Sequence, residues 1–142
     1  MSIFMGGPTS ANELHDYEEG TWNVSLQNGS VHSNYNKMKY TKVGQVVHIQ
    51  GQFRIDTATT KVVVTSLPFT VASQSEGEGY PALAVYSHQN NILDGTSYLI
   101  AYVSPGSTQM DLRGVRDDAS TVDVIGTSNG YFMIGGSYIC DS

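Results

Sequence analysis

The groups best suited to hold a ligand in this sequence are rings and planar amides rather than nucleophiles. Tyr86, His88, Gln89, Asn90 and Asn91 fall together at a predicted strand end and loop, and Arg113, Arg116 and Asp117 furnish a second polar loop. A sugar has an apolar ring face and a rim of hydroxyls. An exposed aromatic with bidentate polar side chains beside it is the chemistry that grips both. Tyr86, His88, Asn90, Asn91, Arg113 and Asp117 are therefore the expected glycan-binding set. The plainer reading, that tyrosines alternating with aliphatics are core or subunit-interface residues, stays open beside it.

Two catalytic patterns match on paper and fail on context. Gly126-Thr127-Ser128-Asn129-Gly130 fits the G-x-S-x-G elbow, but that elbow needs a helix after the serine, and the residues that follow, YFMIGGSYI, read as a strand. Gly77-Glu78-Gly79-Tyr80-Pro81-Ala82 fits a dinucleotide fingerprint, yet Pro81 and the strand beyond deny it a helix N-terminus. His15, His32, His48 and His88 have no partner at metal-ligand spacing. Asp16, Glu18 and Glu19 form an acidic knot beside Trp22, for which a structural role in docking the N-terminal arm is expected. The sequons at Asn23 and Asn28 carry no weight without a signal peptide. No catalytic residue, metal ligand or cofactor is predicted.

Charge narrows the partners. Seven basic against thirteen acidic side chains give a formal net charge of −6. Nucleic acid and anionic lipid both require the opposite field, so neither is the expected partner. The first twelve residues lack the basic and apolar regions of a signal peptide, and no apolar run is long enough to cross a membrane. The single cysteine, Cys140, excludes an intrachain disulfide and a cysteine-based zinc cage, and is expected as a small residue in the last strand.

The elements that must position these groups are strands. In Gln45 to Ile55, Val47, Ile49, Gly51, Phe53 and Ile55 alternate with Val46, His48, Gln50, Gln52 and Arg54, the period-two pattern of a strand with one buried face. Gly51 at an inward site predicts a bulge or a close approach. Further strands are predicted over Gly20 to Gln27, Met38 to Val43, Lys61 to Leu67, Ala82 to His88, Ser97 to Val103, Thr108 to Arg113, Thr121 to Ile125 and Tyr131 to Ile139. Turn-formers separate them, and Asn129-Gly130 carries the strongest hairpin signal. Val71 to Gly79 reads as a long exposed crossover loop, and Ser10 to Leu14 as a single helical turn in a flexible arm. The expected architecture is all-β: one antiparallel, jelly-roll-like β-sandwich over residues 16–142, led by an arm or linker over 1–15.

Leu14-His15-Asp16-Tyr17-Glu18-Glu19-Gly20-Thr21-Trp22 resembles the L-D-D-Y-E-E-G-T-W motif that opens a domain common at the C-termini of phage tail-fibre and tailspike proteins. Tyr40-Thr41-Lys42-Val43-Gly44-Gln45-Val46-Val47 is similar to that family's Y-T-K-I-G-N-x-V. Ser66-Leu67-Pro68-Phe69 is similar to its G-L-P-F, and Ile134-Gly135-Gly136-Ser137-Tyr138 to its closing strand. His15 departs from the usual first Asp, and Asn23 stands where Thr-Pro often follows the Trp. The stretch from Gly77 to Asn129 matches no motif.

The resemblance implies a homotrimeric, non-enzymatic β-sandwich at the tip of a fibre or tailspike, joined to the rest of that virion protein and binding host cell-surface polysaccharide. It implies a location in the phage tail, after synthesis in the host cytoplasm. A purely structural trimerisation or folding cap is the alternative. Tyr17, Trp22, Tyr40, Tyr98 and Tyr102 are the expected trimer or structural residues. Tyr17 and Trp22 flank a predicted Glu-Glu-Gly turn, and Val46 with Tyr98 and Tyr102 points outward, as a subunit seam requires.

Overall fold

A computed structural model describes residues 3–4, 13–14, 16–73, 75–77, 80–92, 95–118 and 120–141. Most of the expected arm lies outside the described residues. Where it is described, Ile3–Phe4 (β1) pairs antiparallel with Glu13–Leu14 (β2), so extended backbone replaces the expected helical turn at Glu13 and Leu14.

The remaining strands are Tyr17–Asn23 (β3), Ser30–Val31 (β4), Lys37–Val43 (β5), Val46–Thr57 (β6), Val63–Val64 (β7), Ala82–His88 (β8), Thr96–Val103 (β9), Met110–Arg116 (β10), Thr121–Asp123 (β11) and Tyr131–Ile139 (β12). They form one antiparallel ten-stranded sheet in the order β11-β10-β9-β8-β12-β6-β5-β3, with β4 on β6 and β7 on β10. No α-helix occurs among the described residues. The chain beyond β3 then closes the sheet. Thr65 N donates to Ser25 O and Gln27 N to Val63 O, both at 2.9 Å, while β7 is already paired to β10. The segment after β3 is thereby joined to β7, which borders β10.

Inside lies one core. Phe53 and Phe132 sit in register on β6 and β12 with ring centroids 5.7 Å apart, joined by Ile49, Ile55, Val64, Leu83, Ala101, Leu112 and Ile134. Removing such faces from water is the main force holding the sheet curled. The predicted alternation of β6 holds at Val47, Ile49, Phe53 and Ile55, all fully buried. Gly51 breaks it, being exposed with φ +148°. A Cβ there would lie 2.9 Å from the Met38 side chain, so the close approach is made by a methionine, at the point where the β5–β6 pairing stops.

Three local expectations change. Tyr17–Asn23 is a continuous strand paired along its length with β5, so the Glu-Glu-Gly segment is no turn. Gly20 serves packing instead: its missing side chain leaves room for the Tyr40 ring, which a Cβ would meet at 2.8–3.0 Å. Asn129-Gly130 does turn, with Asn129 at φ +69° and Gly130 N bonded to Thr127 O at 2.8 Å. It closes no hairpin, because β11 pairs with β10 and β12 with β6 and β8. The supposed exposed loop from Val71 begins in the core, where Val71 and Ala72 are buried and Val71 bridges to Cys140. Its Gln74, Glu78 and Gly79 lie outside the described residues.

Candidate functional site

Alternation sends Val46, His48, Gln50, Gln52 and Arg54 of β6 to the outer face of the sheet. Register then builds rows across neighbouring strands. At one end Tyr17 of β3 faces Val43 of β5, Val43 faces Val46 of β6, and Val46 faces Ile139 of β12. All four are large, apolar and 38–45% exposed. At the other end Arg54 faces Tyr131 of β12, which faces His88 of β8.

The motif residues gather beneath the apolar row. Asp16 accepts a 2.5 Å ion-pair bond from Lys42, which is only 5% exposed and lies 5.7 Å from the Phe69 ring centroid. Tyr40 O–H donates to Glu18 at 2.6 Å, and the Tyr40 ring packs edge-on against Phe69 at 5.2 Å. Tyr138 O–H donates to Phe69 O at 3.1 Å and accepts from Phe69 N at 3.3 Å. Burial pushes the Tyr138 phenol well above its ordinary range, partly offset by the Phe69 backbone. The nearby Cys140 thiol is fully buried, and that burial raises its pKa against the pull of Lys42. The acidic knot thus ties β3 to β5.

Around Arg54 the chemistry differs. The loop after β4 brackets it through backbone bonds, His32 N to Arg54 O at 2.9 Å and Arg54 N to Tyr35 O at 3.0 Å. The guanidinium carbon sits 5.7 Å from the ring centroids of both Tyr35 and Tyr131, and Arg54 donates to the Asn129 side-chain oxygen. Ring centroids continue at 5.5 Å from His32 to Tyr35, 6.0 Å from Tyr35 to Tyr131 and 6.4 Å from Tyr131 to His88. Beside this row lies an open trough of about 560 Å³ lined by Gly51, Gln52, Ala84, Val85, Tyr86, Met133, Ile134 and Gly135. A second trough of about 440 Å³ runs over β3, β5 and β6, lined by Glu19, Gly20, Thr21, Lys39, Tyr40, Thr41, His48 and Gln50.

The six expected glycan residues divide among three places. Tyr86 and His88 project from β8 beside the Arg54 row, both exposed. Asn90 is a clamp: its Nδ2 donates to Ser87 Oγ, His88 O and Tyr131 O, and its Oδ1 accepts from Thr127 N at 3.0 Å. That amide is occupied in holding the loops together. Asn91 is exposed, its backbone N bonded to Thr127. Arg113 lies on β10, two strands from β8, bonded to Asp123 at 2.6 Å and Asp111 at 3.1 Å. Asp117 follows β10 and accepts from Ser97. The outward positions of Arg54 and Tyr131 were readable from alternation, but their meeting with Tyr35 depends on a loop whose path has no sequence signature.

Among the expected trimer residues, Trp22 packs in the chain's own core, and Tyr40 is half-buried against Gly20 and Phe69. Tyr17, Tyr98 and Tyr102 are exposed, with Tyr102 stacked on Tyr80 at 5.8 Å. Leu99, Ala101 and Val103 point the other way, toward the core. Ser128 of the G-x-S-x-G match is exposed in a turn, with no hydrogen bond to a histidine among the described residues. No group of three His, Cys, Asp or Glu suited to a metal occurs among the described residues. No protein-family model, curated protein or solved structure matches the chain.

Proposed function

We propose that this chain is a non-enzymatic tip domain of a phage tail fibre or tailspike, a jelly-roll-like β-sandwich that forms a homotrimer and binds a host-surface glycan. The observation that carries the reading is the exposed row Tyr17–Val43–Val46–Ile139, lying over a cluster in which Tyr40, Lys42 and Tyr138 meet Phe69 while Glu18 and Asp16 bond Tyr40 and Lys42. Four sequence segments that resemble one family, far apart in the chain, form one packed unit. Apolar side chains aligned across four strands on an outer face suit a second copy of the chain better than water. Tyr98, Tyr102, Tyr86 and Met133, also exposed on outward positions of β9, β8 and β12, add apolar surface for a partner or a sugar face.

In this proposal the domain works in the virion, joined to the remainder of the fibre, and neither nucleic acid nor membrane is its partner. Adsorption to host cells is the test. The purified chain at micromolar concentration is expected to adsorb to host cells and block phage adsorption, and purified host polysaccharide to block adsorption of the chain. A chain that trimerises yet binds no glycan on an array would favour the purely structural cap.

A further inference from the structure

We infer that the Arg54 row is a subsite for a carboxylate-bearing sugar, with Arg54 holding the acid group and Tyr35 and Tyr131 the ring. This rests on the glycan-binding reading above and names the class of sugar. The chain is acidic overall; Lys42 is neutralised by Asp16, and Lys61 and Arg113 by Asp111 and Asp123, while Lys37, Lys39, Arg116 and Arg54 have no ion pair among the described residues, and of these Arg54 is the one set against two aromatic rings. Arg54 has no carboxylate within 4 Å among the described residues, and its buried Nε finds no acceptor. The only hydrogen bond from its side chain among those residues goes to a neutral amide, Asn129.

A guanidinium carries five N–H donors in a planar fork matched to a carboxylate. Here two tyrosine rings and the Asn129 side chain hold that fork, so little side-chain entropy is lost on binding. Tyr35, 42% exposed, offers a ring to a sugar's apolar face. The adjoining open trough past Gln52, Met133 and Tyr86 offers a surface along which the next units of an oligosaccharide could lie.

The test uses the intact chain and two probes, oligogalacturonate and sialic-acid oligomers, each against its carboxyl-reduced counterpart. Amide shifts in an NMR titration are expected at residues 32–35, 54, 88 and 129–131 with an acidic oligomer. Binding should weaken as salt is raised, and fall about tenfold or more in Arg54→Gln, the size expected for a charge-assisted bond. Arg54→Lys should retain part of it, and Lys37→Gln, on exposed β5, all of it. Thermal melting of each variant separates lost binding from lost fold. Equal affinity for the acidic and reduced forms, or unchanged binding in a folded Arg54→Gln, would overturn the acid-sugar subsite and leave the glycan reading standing. Absence of binding to every acidic and neutral oligosaccharide would overturn both. Equal binding of inorganic sulfate would reduce the site to an anion contact and overturn the sugar assignment.

Discussion

The two ends of β6 share one strand, one face and one alternation, yet carry opposite chemistry. At Val46 the outer row is apolar, runs over four strands, and rests on a cluster built from every segment that resembles a known family. Eight residues on, at Arg54, the row is cationic and aromatic and uses segments with no such resemblance. At about 3.3 Å per residue the ends are roughly 26 Å apart, far enough for one to be covered by another subunit while the other stays open. The proposed function would use both, one end to assemble and the other to meet a sugar.

The strongest way to break this comparison is a charge in the apolar row. Val46→Glu should bury an unpaired carboxylate in the subunit seam, at a cost of about 3–5 kcal/mol, and yield a folded monomer by size-exclusion chromatography. The same change should leave amide shifts around Arg54 in place. At the ligand end, Asn90→Ala removes the amide that joins β8, β12 and the Thr127 turn, and should lower stability by about 2–4 kcal/mol in denaturant unfolding while the association state survives.

A smaller effect sharpens the picture of the motif end. Tyr138→Phe loses the two bonds to Phe69 and should cost about 1–2 kcal/mol. Burial raises the pKa of Tyr138 in the folded chain, so the stabilisation is full below the ordinary tyrosine value of ~10 and is lost as pH rises above it. Ultraviolet titration should show Tyr138 ionising only together with alkaline unfolding. In Tyr138→Phe that unfolding should shift to higher pH relative to the variant's own neutral stability.

Much of this was legible from periodicity and turn chemistry. Ala82–His88 and Tyr131–Ile139 are strands with the bounds their alternation implies, and Val46 and Tyr102 face outward as expected. The misses share a cause. Asn129-Gly130 looks like a hairpin because local turn chemistry cannot say which strands pair, and here the pairing is long-range. Val71 and Ala72 sit in a polar, glycine-rich run, but the bridge to Cys140, almost seventy residues away, draws them inward. Asn90 and Arg113 have the right chemical types for a sugar, and only tertiary contacts reveal that their donors are already taken. Arg54, in contrast, was visible as an outward residue, while its having no ion pair among the described residues is a property of the fold.

The association state tests the central claim most directly. Light scattering of the purified chain at low micromolar concentration should give a mass three times the 15.4 kDa of one chain. A stable monomer under those conditions would contradict the account, leaving the exposed row at Tyr17, Val43, Val46 and Ile139 without the partner proposed for it.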